Sequence, residues 1–121
     1  MSKHALVVDD SPTAVELLKR SLEQLGIVAQ SVGTGEAAVD FLSGADPLPD
    51  YVFMDVMMPG MDGFEATKAI LGQSRTAHLP IIIYTTLKSD VDQKKAQDAG
   101  ATGYLTKPFN QSGLKACLQQ L

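Results

Sequence analysis

Five residues that can bind a metal ion or a phosphate group follow short apolar segments of this chain. They are Asp9, Asp10, Asp55, Thr85 and Lys107. If each apolar segment is a strand of one parallel β-sheet, these residues all lie beyond the carboxyl ends of the strands. Ligands of open parallel sheets bind at that edge, so we expect the three carboxylates, the hydroxyl and the ammonium group to form one site.

Three carboxylates gathered at one site need positive charge close by, because their mutual repulsion otherwise favours protonation of at least one of them. Lys107 supplies one positive charge, and a divalent cation would balance the other two. Mg²⁺ is the expected ion, since it prefers oxygen ligands, keeps several waters and leaves positions for phosphate oxygens. Zinc fits poorly, because the single cysteine is distant in sequence and neither histidine follows a predicted strand.

The chemistry that such a site favours is transfer of a phosphoryl group. A carboxylate beside Mg²⁺ and a lysine can attack phosphorus and form an aspartyl phosphate. The two cations would offset charge on the phosphoryl oxygens, and the Thr85 hydroxyl would hydrogen-bond the product. The residues alone do not select which aspartate is the nucleophile.

The segments that must position these residues alternate between strand and helix patterns five times. Apolar runs predict strands at residues 5–8, 27–32, 51–54, 80–84 and 103–105. A helical pattern follows each strand, and Ser11, Thr34 and Asn110 are the expected N-caps of three of these helices. Each crossover helix returns the chain to the same end of the sheet, so the strands are expected to pair in parallel.

Right-handed crossovers place the helices on both faces of such a sheet. Five strand–helix units are too few for an eight-fold barrel, so we predict an α/β fold with a doubly wound five-stranded parallel sheet and five helices. A chain of 121 residues without a linker or an internal repeat is expected to form one domain, residues 1–121.

Composition and charge exclude several classes of function. The net charge of −4 argues against nucleic acid as a direct partner, which requires a surplus of Lys and Arg. No apolar run approaches the ~20 residues of a membrane span, and the N-terminus is not a secretory signal. A single cysteine cannot form an intramolecular disulfide. We therefore expect a cytoplasmic protein that does not bind membranes.

Four features spread along the whole chain form a specific pattern when they are read together. They are VVDDS at 7–11, MDVMMPGMDG at 54–63, Thr85, and GATGYLTKP at 100–108. In this order and spacing they resemble the receiver domain of two-component response regulators, and most closely the single-domain chemotaxis-type members. The resemblance implies a flavodoxin-like sheet with strand order 2-1-3-4-5.

Carried over residue by residue, the resemblance implies that Asp55 accepts a phosphoryl group from a phosphohistidine of a sensor histidine kinase or phosphotransfer protein. Asp10, Asp55 and the backbone carbonyl of Met57 would bind Mg²⁺ directly, and Asp9 would act through water. Lys107 would contact the phosphoryl group. The protein would therefore be a signalling switch that catalyses its own phosphorylation and slow self-dephosphorylation, rather than a metabolic enzyme.

The resemblance also implies how the signal leaves the site. Thr85 would shift toward the new phosphate, Tyr104 would change rotamer with it, and the Lys107–Pro108 peptide would be cis. The surface of the fourth helix, fifth strand and fifth helix would then bind a downstream output protein. If this is the full chain, its output is expected to be another protein, reached by binding. The resemblance is compatible with a monomer or a phosphorylation-linked dimer.

Two residues depart from the usual receiver pattern. Thr86 stands where most receivers have a small residue, and its branched side chain would narrow access to the phosphoryl group. Met57 is bulky and apolar where many receivers have a polar residue that orients hydrolytic water. We therefore expect slow self-dephosphorylation.

Two other classes of function are partly consistent with the same residues. A small Mg²⁺-dependent phosphatase or phosphotransferase acting on a metabolite usually adds a cap or a further acid–base residue, yet Val56 and Met57 follow Asp55 here. A flavodoxin-like carrier of a nucleotide or flavin would want Ser, Thr or Gly after the first strand, where Asp9 and Asp10 would repel the anion. Absence of flavin colour in the purified protein would remove this last class.

Overall fold

The sheet consists of five strands whose carboxyl ends lie within one residue of the predicted ends, although the first strand begins two residues before its apolar run. A computed structural model describes residues 3–121. The strands are β1 Lys3–Val8, β2 Ile27–Val32, β3 Tyr51–Met54, β4 Ile81–Thr85 and β5 Gly103–Thr106. Each run is short, bounded by turn residues and rich in β-branched or aromatic side chains, as expected for buried strands. Strands β4 and β5 each extend one residue further than predicted, so Thr85 lies within the sheet.

Five α-helices connect and follow these strands. They are α1 Pro12–Glu23, α2 Gly35–Gly44, α3 Gly63–Leu71, α4 Asp90–Ala99 and α5 Gln111–Gln119. Side chains of Ser11, Thr34 and Asn110 accept hydrogen bonds from helix amides three residues later, as predicted N-caps do. Asp62 and Glu65 form a capping box at α3. A short 3₁₀ helix at Ser74–Thr76, which the sequence analysis did not predict, follows α3.

All strand pairs are parallel, and the order across the sheet is β2-β1-β3-β4-β5. The predicted α/β class, the doubly wound sheet and its flavodoxin-like order are therefore confirmed. The order reverses between β1 and β3, because the chain moves outward to β2 and then returns to the other side of β1. This reversal opens a crevice beyond the carboxyl ends of β1 and β3, where the polar residues stand.

Two apolar layers fix the sheet between its helices. One layer joins alternate strand residues such as Val8, Met54 and Ile83 to α2, α3 and α4. The other joins the intervening residues, such as Val7 and Phe53, to α1 and α5. Because successive side chains of a strand point to opposite faces, the position of each functional residue relative to its strand decides which helices it faces.

Two peptide bonds before proline are cis. One is Lys107–Pro108, at the end of β5, and the other is Asp46–Pro47, which the sequence analysis did not predict. Within the part of the chain that the structure describes, no helix is long and apolar enough to cross a membrane.

Candidate functional site

The backbone of the sheet continues for one residue beyond its strands and holds the polar residues in place. The Asp9 amide donates to the carbonyl of the last residue of β2, at 3.1 Å, and the Asp55 amide donates to that of β1, at 2.9 Å. In the same way, the Lys107 amide donates to the last carbonyl of β4, at 2.7 Å. These three side chains therefore start from fixed backbone positions rather than from mobile loops.

The three carboxylates predicted from the strand ends lie together. One oxygen each from Asp9, Asp10 and Asp55 fall within 4.8 Å of one another. Asp9 and Asp55 are buried, whereas Asp10 is exposed at the mouth of the site. Carboxylate oxygens at this spacing, with one side open to solvent, match the preference of Mg²⁺ for one or two carboxylates and several waters. The donor set therefore fits the ion expected from the sequence.

Lys107 reaches across from the end of β5 to two of these carboxylates. Its Nζ atom lies 3.0 Å from Oδ2 of Asp9 and 3.3 Å from Oδ1 of Asp55. The lysine side chain is only 20% exposed, so water screens this ion pair less than it would a pair on the surface. One ammonium group against three carboxylates still leaves the site negative, and a divalent cation would restore the balance.

Burial and neighbouring charge act on Asp55 in opposite directions. Burial raises the pKa of the Asp55 carboxyl, and the nearby Asp9 carboxylate raises it further. The Lys107 ammonium lowers the same pKa through its charge and its hydrogen bond, but the net direction remains upward. Burial and the charge of Asp9 thus disfavour the ionised form of the Asp55 carboxyl relative to a carboxyl in water.

Tyr84 belongs to the site, although the sequence pattern predicts only that it lies in an apolar strand. Its buried hydroxyl donates a hydrogen bond of 2.8 Å to Oδ2 of Asp9, and Nζ of Lys107 lies 4.0 Å from the centre of its ring. Burial, and then the bond to Asp9, raise the pKa of the Tyr84 phenol far above its usual range. The only available signal was the alternation of the strand, which places residue 84 on the same face as Asp9.

Thr85 and Tyr104 meet at one residue of the β4–α4 loop. The amide of Leu87 donates to Oγ1 of Thr85 at 3.2 Å, and the Tyr104 hydroxyl donates to the Leu87 carbonyl at 2.8 Å. Thr85 is buried, and Tyr104 packs partly buried against the layer that faces α4. Both residues predicted to switch therefore hold the same peptide segment.

The remaining predicted residues are exposed and lie within two positions of site residues along the chain. Thr86 follows Thr85 and is exposed. Met57 lies two residues after Asp55, and its side chain is 65% exposed. Pro108 follows Lys107 through the cis peptide bond and is exposed. All three residues are therefore accessible to solvent.

Gly63, the first residue of α3, packs directly under the backbone of Asp55. A Cβ atom at this position would lie 2.2 Å from the Asp55 carbonyl oxygen and 2.8 Å from Cα of Val56. The amide of Gly63 also donates to the Val56 carbonyl at 3.0 Å. Only a glycine allows α3 to begin this close to the strand end that carries Asp55.

Replacement of Gly63 by alanine is therefore expected to destabilise the fold by about 1–3 kcal/mol, the usual cost of overpacking. Gly44 is a matched control, because a Cβ atom there would meet nothing within 4 Å, and Gly44→Ala should change stability by less than about 1 kcal/mol. Urea denaturation of both variants measures the difference. Equal stability of Gly63→Ala and the wild type would show that the close packing does not constrain the Asp55 backbone.

Comparisons with known proteins identify the family of this chain. The family model described as "Response regulator receiver domain" matches residues 5–119. Protein PilH of Pseudomonas aeruginosa is 38% identical over 112 residues, which cover 90% of this chain and 88% of PilH. The chemotaxis protein CheY of Halobacterium salinarum is 42% identical over 109 residues, with the same coverage of 90% and 88%.

A solved structure extends the likeness to the whole fold. The receiver domain of the sensor histidine kinase PA1611 from P. aeruginosa superimposes with a TM-score of 0.88 at 30% identity, covering 99% of this chain and 97% of that chain. That structure has a magnesium ion coordinated in its active site cleft. The family match over residues 5–119, together with these relatives, establishes that the chain belongs to the receiver domain family of response regulators, the signalling switches of two-component systems.

Proposed function

We propose that this receiver accepts a phosphoryl group on Asp55 from a phosphohistidine of a sensor histidine kinase or phosphotransfer protein. The observation that carries the proposal is the convergence of Asp9, Asp10, Asp55 and Lys107 at the carboxyl edge of the sheet. Asp55 is the expected acceptor, because its position matches the acceptor of the receiver family and its carboxylate lies 3.3 Å from the Lys107 ammonium.

The same residues would hold the divalent ion that the transfer needs. Asp10, Asp55 and the Met57 carbonyl would bind Mg²⁺ directly, and Asp9 would act through water. When bound, Mg²⁺ stabilises negative charge on the phosphoryl oxygens. The magnesium ion in the cleft of the PA1611 receiver supports this assignment, as does the negative charge that Lys107 leaves unbalanced.

In the transfer step, a carboxylate oxygen of Asp55 would attack phosphorus in line with the imidazole of the donor. The new P–O bond forms as the P–N bond breaks, and the imidazole leaves with the bonding pair and takes up a proton. The Lys107 ammonium already lies 3.3 Å from the Asp55 carboxylate. It would therefore reach a phosphoryl oxygen with a small movement and stabilise the charge that develops there.

The phosphoryl group would then change the β4–α4 loop through Thr85. If the Thr85 hydroxyl turns to the phosphate, it no longer accepts from the Leu87 amide, and Leu87 loses one of its two bonds. The Leu87 carbonyl would then be free to move and would no longer hold the Tyr104 hydroxyl in place. The Tyr104 ring would therefore be able to adopt another rotamer. A local charge event would thus alter two ordered contacts at once.

The surface formed by α4, β5 and α5 is the face we propose to bind the downstream output protein. Tyr104 lies in β5 and the released loop leads directly into α4, so both elements would respond to Asp55. Val91 of α4 is 65% exposed, which offers an apolar contact on this face. With a net charge of −4, the output partner is expected to be a protein rather than a nucleic acid. We propose that the exchange takes place in the cytoplasm, with the receiver acting as a monomer or as a dimer formed on phosphorylation.

Backbone amide NMR in the presence of Mg²⁺, before and after addition of acetyl phosphate, tests the proposed switch. Shifts are expected at the ends of β1, β3 and β5, and also along the β4–α4 loop, α4 and β5. Shifts confined to the carboxylate cluster would argue against an output face at α4, β5 and α5.

Thr85→Val should separate phosphorylation from switching. Valine keeps the shape of threonine but lacks the hydroxyl, so Asp55 should still be phosphorylated while the amide shifts in α4 fall to less than about half of the wild-type size. Thr86→Val is the matched control at the neighbouring exposed position, and it should leave the α4 shifts unchanged. Wild-type shifts in Thr85→Val would exclude the Thr85 hydroxyl as the link to Leu87.

Thr86→Ala should accelerate loss of the phosphoryl group several-fold, because the branched side chain at the mouth of the site restricts the approach of water. The decay of the phosphorylated protein, followed by intact mass after removal of the donor, gives this rate. Thr86→Val preserves the volume and should decay at the wild-type rate. An unchanged decay rate in Thr86→Ala would show that residue 86 does not control access.

A further inference from the structure

The buried hydroxyl of Tyr84 is a contact that the proposed phosphoryl transfer does not require. A phenylalanine at this position of β4 would fill the same apolar space between the sheet and the helices α1 and α5. The ring packs edge-on against Phe109, with 6.5 Å between the ring centres. A tyrosine adds only a polar atom, and a buried hydroxyl is stable only when it finds a partner.

The partner of this hydroxyl is the carboxylate of Asp9. Oδ2 of Asp9 accepts from the Tyr84 hydroxyl at 2.8 Å and from Nζ of Lys107 at 3.0 Å. Oδ1 accepts from the Ser11 amide at 3.0 Å. Both oxygens of this buried side chain are therefore occupied, and the direction of the carboxylate is set by three donors from three different parts of the chain.

The ring of Tyr84 contacts the second charged partner of Asp9. Nζ of Lys107 lies 4.0 Å from the ring centre, a distance at which an aromatic face attracts an ammonium group. Lys107 is thus held between one aromatic face and the carboxylates of Asp9 and Asp55. One side chain of β4 therefore touches both the anion and the cation that the site brings together.

We propose that Tyr84 is a positioning residue of the acidic site, which fixes the Asp9 carboxylate through its hydroxyl and the Lys107 ammonium through its ring. This inference rests on the proposed function, because it assigns to Asp9 and Lys107 the roles given above. The two contacts separate chemically. The hydroxyl orients the Asp9 carboxylate, so its removal should lower the affinity for Mg²⁺. The ring holds the Lys107 ammonium, so its removal should lower the rate of phosphoryl transfer.

Tyr84→Phe isolates the hydroxyl, and calorimetric titration with Mg²⁺ in the absence of a phosphodonor measures its effect. Partners that orient a metal-binding carboxylate typically contribute 10–100-fold to affinity, so Mg²⁺ should bind about tenfold more weakly to this variant. Tyr51→Phe is the matched control. The Tyr51 hydroxyl also forms a hydrogen bond with a charged side chain, since it accepts from Nζ of Lys3 at 3.1 Å. Tyr51 is the first residue of β3, however, and so lies at the end of this strand that is remote from Asp55. Equal Mg²⁺ affinity of Tyr84→Phe and Tyr51→Phe would overturn the role of the hydroxyl.

Tyrosine absorption gives a second readout, recorded at saturating Mg²⁺ so that a difference in affinity does not affect it. The chain has three tyrosines and no tryptophan, so the near-ultraviolet spectrum reports on tyrosine. Saturating Mg²⁺ should perturb the spectrum of the wild type and of Tyr51→Phe, because the carboxylate that Tyr84 contacts changes its electrostatic surroundings. The perturbation should be absent in Tyr84→Phe. A wild-type spectrum that does not respond to bound Mg²⁺ would contradict the proposal.

The ring is tested by comparing Tyr84→Leu with Tyr84→Phe at saturating Mg²⁺ and a fixed concentration of acetyl phosphate. Both variants lack the hydroxyl but only Tyr84→Phe keeps the aromatic face, so Tyr84→Leu should be phosphorylated about fivefold more slowly than Tyr84→Phe. Equal rates would overturn the role of the ring. If the wild type binds Mg²⁺ and Tyr84→Phe binds it more weakly, but the wild type is never phosphorylated, only the proposed function is contradicted. Wild-type protein that binds no Mg²⁺ would contradict both.

Discussion

Lys107→Met is expected to lower the rate of Asp55 phosphorylation by at least about 100-fold, the usual effect of removing one preorganised donor from a charged transition state. Methionine keeps the length and most of the volume of the lysine side chain but carries no charge. The ammonium lies within 3.3 Å of Asp55 and is held by a backbone that continues the sheet. Its loss therefore removes a fixed positive charge, and among residues 3–121 no other cationic side chain forms an ion pair with Asp9 or Asp55.

The rate can be followed by intact mass after addition of acetyl phosphate and Mg²⁺. Lys115→Met is the control, because Lys115 is an exposed lysine of α5, and this variant should react at the wild-type rate. Lys107→Met should also be less stable than the wild type in Mg²⁺-free buffer, because Asp9 and Asp55 lose their ion-pair partner. A rate in Lys107→Met close to that of the wild type would exclude a direct role of the ammonium in the transfer.

Mg²⁺ is expected to stabilise the folded protein strongly. At a Mg²⁺ concentration of 100 times the dissociation constant, the free energy of unfolding should rise by about 2.7 kcal/mol, which for a chain of this length raises Tm by roughly 10 °C. The folded protein is expected to bind the ion because three carboxylates face one ammonium group in the site. Addition of EDTA should reverse the effect completely.

Asp10→Asn should lose most of this stabilisation, since it removes the exposed carboxylate of the cluster while keeping its shape. Asp40→Asn is the matched control. Asp40 is an exposed aspartate of α2 that lies outside the cluster, and this variant should respond to Mg²⁺ like the wild type. Thermal unfolding of the three proteins with and without Mg²⁺ measures the difference. Equal stabilisation of Asp10→Asn and the wild type would show that the ion binds elsewhere.

The fold was predictable because each strand is a short apolar run that ends at a polar or turn residue. Strand β2 and helix α4 begin and end where the sequence pattern places them, at Ile27–Val32 and Asp90–Ala99. The strand ends were less predictable. Thr85 and Thr106 are polar, so hydrophobic patterning ended β4 and β5 too early, whereas the parallel hydrogen bonds between these strands continue through both residues.

The charged residues of the site were predictable for the same reason that the fold was. In a parallel sheet, the residue after each strand arrives at a common edge, so Asp9, Asp55 and Lys107 could be placed together before any coordinates were known. The contact between Lys107 and both carboxylates follows from charge and proximity.

Contacts that combine an apolar residue with a polar function were not predictable. Tyr84 lies in the isoleucine-rich strand β4 and its apolar ring predicts a core position, because hydrophobic patterning does not distinguish a buried ring from a buried ring with a bonded hydroxyl. Leu87 contributes only its backbone amide and carbonyl to Thr85 and Tyr104. Since every residue has those groups, the side chain at position 87 carries no signal of this role.

Intact mass spectrometry of the wild type and Asp55→Asn, each treated with acetyl phosphate and Mg²⁺, tests whether this receiver is phosphorylated on Asp55. The wild type should gain a single phosphoryl group of about 80 Da, and EDTA should prevent the gain. Asp55→Asn should gain nothing, although its buried side chain keeps the same shape and position. The same mass gain in Asp55→Asn, or no gain in the wild type, would contradict phosphoryl transfer to Asp55.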